Sequence, residues 1–369
     1  MKVFIGQTFI VAGLTMLSLL YPISLYNETR STALLGLSIT LNNLAVAVGS
    51  YVWGLLLDKS KERYFYTILL PLSGLLISFI IFRTPFGLLG YSLVGFFSAL
   101  DSPLYSIILL EQLTPEMIVV GNSRLSQLSL AGNIAGSILG AVLPHFEIPL
   151  VLFALGTAIN AIVIPRYKGE IREDKNERIR EFKILLKPLI SFSMFNLSAE
   201  VFYVMFIPLL TIYKVPSWTY FLSYTALYIV DEYVYYRSPQ IVKDNELYYA
   251  FSVISLRSSI VLVLGFLVFF SINLSYGIMP VFLVFGSSYP LYSTAFFSLM
   301  FKNLSKNRGA IIGLFNAGEN LASAAGSILS AFVNPHSISQ AYFISFFGFV
   351  ISFFMFYDYV NSVKVASSA

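Results

Sequence analysis

The sequence predicts an all-α integral membrane protein of twelve transmembrane helices, arranged as two pseudo-symmetric six-helix bundles. Three observations predict it. Charge is scarce, the charge-free runs have the length of a bilayer, and short strings recur in the same order at a spacing near half the chain.

Of 369 residues, 57% are hydrophobic and 11% charged, and the mean hydropathy is +0.77. Soluble domains carry about 25% charged residues, so a cytosolic enzyme of this length is excluded. Val3–Asn27, Ser31–Leu57, Tyr64–Phe82, Leu125–Phe146, Ile148–Pro165, Ser258–Phe301 and Asn320–Tyr357 contain no Asp, Glu, Lys or Arg. A helix needs about 20 apolar residues to cross roughly 30 Å of hydrocarbon. Barrel strands would be segments of about ten residues alternating in polarity, and these runs do not alternate. The spans read near 3–25, 33–57, 65–83, 87–109, 123–143, 148–165, 188–212, 217–236, 248–271, 277–301, 309–333 and 338–358. Lys2 leads directly into the first run with no small-residue cleavage site at a suitable distance, so that helix reads as retained.

The basic residues orient the spans. With the N-terminus inside, 19 of the 23 Lys and Arg fall on the cytoplasmic side, eight of them between Arg166 and Lys187. Arg30, Arg83 and Lys214 fall outside and Arg257 lies within the ninth span. This is the positive-inside bias. It puts both termini in the cytoplasm and the protein in the cell membrane, and it assigns the net charge of +4 to orientation rather than to nucleic-acid binding.

Residues 166–187 read as a cytoplasmic central loop, a mixed-charge linker with a short surface helix, between bundles at 1–165 and 188–369. Pro103-Leu104-Tyr105-Ser106 recurs as Pro290-Leu291-Tyr292-Ser293, an offset of 187. Gly136-Ser137-Ile138-Leu139 recurs as Gly326-Ser327-Ile328-Leu329, offset 190, and Pro144-His145 as Pro335-His336, offset 191. Three matches in order point to duplication of a six-helix unit, the parallel repeat of many transporters, with a solute site between repeats.

Between the second and third spans stands Gly54-Leu55-Leu56-Leu57-Asp58-Lys59-Ser60-Lys61-Glu62-Arg63. With the twelve spans and the charged central loop, this segment resembles the major facilitator superfamily. That family's motif there is Gly-x-Leu-Ala-Asp-Arg/Lys-x-Gly-Arg/Lys-Arg/Lys. Gly54, Leu56, Asp58, Lys59 and Arg63 fit; Lys61 stands for the second glycine and Glu62 for a basic residue. The equivalent loop near Arg237-Ser238-Pro239 hardly keeps the motif. The resemblance implies a secondary active transporter that moves a small organic solute by alternating access. It also implies a conformational gate of Gly54, Asp58, Lys59, Arg63 and Glu111, with Asp58 facing the start of the eleventh helix near Arg308-Gly309 and Arg63 facing Glu111. In the fifth span Gly132, Gly136 and Gly140 form a small-residue stripe suited to close packing. Family exporters often carry a glycine-proline pair there, where this chain has Gly140-Ala141 with proline delayed to Pro144.

Polar groups inside the spans mark the candidate site, because a carboxylate at mid-bilayer costs about 2.5–3.5 kcal/mol on insertion scales. Asn316, Glu319 and Asn320 share one helical face, as do Asn196 and Glu200, and Asp101 lies beside Pro103. The family fold borders its cavity with these helices. Glu200 and Glu319 are therefore the proton-coupling candidates, and Asp101, Tyr105, Asn196, Tyr289, Tyr292, Asn316 and Asn320 the substrate-binding ones. Arg257 reads as pairing with Asp231 or Glu232, or snorkelling to the cytoplasmic face. The two His lie at outer helix ends, and no GxxxxGK[ST] loop and no mid-helix lysine occur, so no metal, cofactor or ATP chemistry is expected, and no enzyme activity. Asn27-Glu28-Thr29 and Asn273-Leu274-Ser275 are glycosylation-type triplets on the outer side. The expected partners are the solute, protons as coupling ion and the lipid bilayer, for a monomer whose apolar, aromatic composition leans toward efflux of amphiphilic compounds. The alternative is a transporter-like membrane sensor without transport activity.

Overall fold

Lipid offers no hydrogen bonds, so an apolar span must satisfy its backbone internally, and helices do so within one segment. The computed structural model describes residues 5–59, 74, 86–100, 104, 115–163, 182–303, 308–334 and 337–368, and among them no residue is in a strand. The described α-helices are α1 (Ile5–Thr29), α2 (Thr32–Lys59), α3 (Gly87–Ser98), α4 (Pro115–Val142), α5 (Glu147–Val163) and α6 (Phe182–Ile212). The second group is α7 (Trp218–Val242), α8 (Glu246–Phe269), α9 (Ile278–Ser287), α10 (Tyr289–Asn303), α11 (Arg308–Ala331) and α12 (Ser339–Ser368). Among the described residues, α1, α8 and parts of α2, α6 and α12 are long and apolar enough to cross a membrane alone. The expected third span apart from Gly74, most of the central loop and most of the end of the fourth span lie outside the described residues.

Several boundaries differ from the sequence reading. The seventh span begins six residues early, at Phe182, with Pro188 inside the helix. The twelfth runs past residue 358 to Ser368. The two extensions meet: Lys187 Nζ lies 2.7 Å from the Asp358 carboxylate and donates to Ser362 Oγ at 3.2 Å. The eighth span continues through Asp231-Glu232 to Val242.

The expected tenth span is two helices, α9 and α10, parted at Ser288. Pro290 causes the break: it has no N–H, and its ring displaces the carbonyl four residues back, that of Gly286. In the first repeat, α3 likewise stops at Ser98, ahead of Pro103.

The chain divides into two compact units. Unit 1 comprises Met1–Asn27, Leu41–Lys175 and Ser217–Tyr228; unit 2 comprises Glu28–Thr40, Asn176–Pro216 and Ile229–Ala369. In unit 1, a Cβ on Gly136 of α4 would overlap the Ala12 carbonyl of α1. In unit 2, a Cβ on Gly326 of α11 would meet the Leu197 carbonyl of α6 at 2.5 Å. The glycine of the repeated Gly-Ser-Ile-Leu string thus does the same work in each unit, letting two helix backbones touch. The small-residue stripe of the fifth span is a packing surface, with Gly132 set against the Thr8 carbonyl and Gly140 against the Phe221 ring.

Within unit 2 the start of α2 lies on the end of α11, where Thr32 Oγ1 donates to the Val333 carbonyl at 2.6 Å. Within unit 1 the start of α7 lies on α4, where Thr225 Oγ1 donates to Ser137 Oγ at 2.8 Å.

Candidate functional site

The polar interior of unit 2 is built around Arg257. Its side chain is 1% exposed, so it neither snorkels nor reaches the cytoplasmic face as expected. Nε donates to Ser288 Oγ at 2.8 Å and Nη2 to the Gly286 carbonyl at 3.2 Å. That carbonyl is the one Pro290 removes from the helix ladder, so the α9–α10 break supplies the acceptor that a buried guanidinium needs. Ser288 Oγ donates onward to the Phe285 carbonyl at 2.6 Å. The guanidinium carbon stands 4.4 Å from the Phe285 ring centre, 4.8 Å from Phe195 and 5.8 Å from Tyr289, where aromatic faces attract a desolvated cation.

One carboxylate acts on this cation from a distance. Asp231 of α7 does not form the expected ion pair with Arg257. Its charge is nonetheless felt there, and its Oδ1 is buried without a hydrogen-bond partner among the described residues. Tyr203 of α6 lies beside Arg257, within electrostatic reach of Asp231 and Glu200. Glu319 accepts a hydrogen bond from Tyr289 Oη at 3.1 Å, and Glu200 accepts one from Ser327 Oγ at 3.0 Å. One guanidinium, bound at the helix break, is within electrostatic reach of Asp231 of α7, while Tyr203 lies between it and Glu200 of α6 and Tyr289 between it and Glu319 of α11.

The other expected site residues divide clearly. Tyr289 belongs to the cluster through Glu319. Tyr292 is fully buried, stacked on Phe195 at 3.8 Å, with its hydroxyl unpartnered among the described residues. Asn196 is buried and donates to the Phe192 carbonyl of its own helix at 3.0 Å. Asn316 is exposed, and Asn320 half-buried, on the α11 face that carries Glu319. Gly54, Asp58 and Lys59 lie in the last turns of α2, but their side chains are outside the described residues. Asp101, Tyr105, Arg63 and Glu111 lie outside them altogether.

Sequence reasoning placed Arg257 at the periphery. The missed signal was a lone basic residue inside an apolar span, in the half that also carries Glu200, Asp231 and Glu319. A buried cation needs a countercharge, and these were the available ones.

Among the described residues no three His, Asp or Glu side chains converge to hold a metal ion. No curated protein matches the chain in sequence. Solved structures share its fold at low identity. A bacterial homologue of the iron transporter ferroportin in an inward-facing state is 13% identical, with TM-score 0.72 and 97% of each chain covered. The nucleoside transporter NupG is 14% identical, with TM-score 0.74, covering 97% of this chain and 98% of its own. An auto-inhibited POT family peptide transporter is 11% identical, with TM-score 0.73, covering 98% of this chain and 95% of its own. The Major Facilitator Superfamily sequence model matches residues 3–327. Helices, duplicated strings and sequence model therefore agree, and the chain belongs to the major facilitator superfamily: a multi-pass membrane secondary transporter, not an enzyme.

Proposed function

We propose that this transporter moves a small organic solute by alternating access, coupled to protons carried on Glu200 and Glu319, in the direction of efflux from the cell, with both termini in the cytoplasm. The observation that carries the reading is the pair of carboxylates, Glu200 and Glu319, held by hydroxyl groups inside the helical unit that contains Arg257. Glu319 accepts a hydroxyl hydrogen bond from Tyr289, and Glu200 accepts one from Ser327. Ionisable side chains within membrane spans are characteristic of proton relays, and these two lie on α6 and α11. Tyr289 ties Glu319 to the cation, donating to the carboxylate while its ring lies 5.8 Å from the Arg257 guanidinium carbon. Asp101, Asn196, Tyr289, Tyr292, Asn316 and Asn320, with Tyr105, remain the proposed substrate contacts. Gly54, Asp58, Lys59, Arg63 and Glu111 remain the proposed gate, and residues 166–187 the link between the repeats.

Proteoliposomes loaded with a solute panel, with and without an imposed pH gradient, test this reading. The wild type drives at least one solute against its concentration gradient only when the pH gradient is present. Glu200→Gln and Glu319→Gln reduce that accumulation at least tenfold. Full gradient-driven transport in both variants sinks the proton-carrier assignment. Solute binding without transport under any gradient favours the sensor reading.

A further inference from the structure

Unit 1 contains a cavity of about 260 Å³, reached by α1, α2, α3 and α4, that shares no residue with the acidic cluster. We propose that it is a binding site for an uncharged, hydroxyl-rich solute, held by Thr15, Ser18, Asn42, Ser98 and Asn133. The inference rests on the transport reading and narrows its substrate class.

The chemistry of the wall carries the argument. Thr15 Oγ1 donates to Asn133 Oδ1 at 2.6 Å, so the two N–H donors of the Asn133 amide, on the cavity wall, take no part in that bond. Asn42 Nδ2 donates to the Tyr91 carbonyl at 2.9 Å. A carbonyl only accepts, so the orientation of that amide is settled and Asn42 Oδ1 is left as an acceptor. Ser18 and Ser98 spend their hydroxyl protons on the carbonyls of Thr15 and Gly95, at 2.9 and 3.0 Å, and present lone pairs. The wall thus offers both donor and acceptor groups, and a hydroxyl, at once donor and acceptor, can use either. Tyr91, stacked on Tyr21 at 4.6 Å, supplies an apolar flank for a carbon skeleton.

No lining residue of the cavity among those described carries a charge. A carboxylate or ammonium bound there would be desolvated without a countercharge, which is far costlier than desolvating a hydroxyl that finds partners. The volume lies just below the usual range of about 300–1,000 Å³ for small-molecule sites, so the solute is compact. The backbone is shaped for the site as well: a Cβ on Gly95 would stand 2.7 Å from Asn42 Nδ2, so only glycine leaves room for that amide. Asp101 lies three residues beyond Ser98 in the sequence and outside the described residues. It is the nearest sequence candidate for a charged contact, and the test separates it.

The test is counterflow exchange in proteoliposomes of the full chain, using labelled glucose, xylitol and uridine as neutral hydroxylated probes, lactate as anion and choline as cation. The expected result is exchange of one or more neutral probes. Removing one hydrogen-bonding group should weaken the apparent affinity about fivefold to tenfold in Asn133→Ala. Ser18→Ala changes an exposed side chain, does not endanger folding, and should show the same direction of effect. Exchange confined to choline and lost in Asp101→Asn assigns recognition to that carboxylate and overturns the proposal while leaving the transport reading intact. Exchange confined to lactate also overturns it. Neutral-probe exchange indifferent to both Asn133→Ala and Ser18→Ala overturns the site. No exchange of any probe counts against both the site and the transport reading.

Discussion

Arg257→Met removes the cation at the α9–α10 break while nearly conserving side-chain length. Two charge-assisted hydrogen bonds are lost, to Ser288 Oγ at 2.8 Å and to the Gly286 carbonyl at 3.2 Å. Such bonds contribute about 1.5–3 kcal/mol each. Ser288 stays satisfied through Phe285, and the Gly286 carbonyl keeps a backbone N–H donor at the end of α9. The methionine sulfur recovers about 0.3–1.5 kcal/mol against Phe195 and Phe285. The net cost is about 1.5–5.5 kcal/mol, a range that includes what breaking a buried charged pair usually entails. At roughly 2 °C per kcal/mol, the lower end for larger domains, the unfolding midpoint in detergent should fall by about 3–11 °C. Asp231→Asn tests the charge reasoning separately. If Arg257 is the countercharge of Asp231, the double variant should recover about 1–3 kcal/mol relative to the sum of the single ones. Tryptophan fluorescence of Trp53 and Trp218 during heating reads both. A fall below about 2 °C for Arg257→Met, or strict additivity with Asp231→Asn, would refute the reasoning, because a cation with no energetic tie to its surroundings costs little to remove.

Gly326→Ala should lower the midpoint as an overpacked helix contact does, by about 1–3 kcal/mol, and Gly136→Ala by a similar amount in the other repeat. Stability unchanged in both would deny that the shared glycine is there for backbone contact. A Cβ on Gly36 would meet the Ser327 carbonyl at 2.5 Å, so Gly36→Val should part the start of α2 from the end of α11. The chain has no cysteine, so a single Thr40→Cys reporter is clean. Its labelling by an impermeant maleimide should rise about tenfold in the Gly36→Val background, the effect of shifting a local equilibrium by 1.4 kcal/mol. An unchanged rate would show that this contact does not limit access.

Much of the fold was legible because membrane insertion writes its rules plainly. Charge-free runs and the basic bias located helices that the structure shows at α1, α2, α8 and α11 with only small shifts of boundary. The backbone contacts at Gly136 and Gly326 were legible as one recurring string, because such contacts permit only the smallest residues. Interhelical polar geometry was not legible. The place of Arg257 depends on a carbonyl freed by a proline 33 residues later, and periodicity carries no such relation. The helix extensions joined by Lys187 and Asp358 escaped too, because they lie beyond the apolar runs that marked the spans. The cavity of unit 1 went unremarked for the converse reason. Thr15, Asn42 and Asn133 are neutral, and a search led by charge passes over neutral polar groups.

The measurement that bears most directly on proton coupling compares exchange with accumulation in the same Glu319→Gln proteoliposomes. A fixed neutral group at residue 319 should leave solute exchange across the membrane near the wild-type rate, because exchange needs no net proton movement. Accumulation driven by the pH gradient should fall at least tenfold. Accumulation retained at the wild-type level would contradict the account, and would remove Glu319 from the proton path.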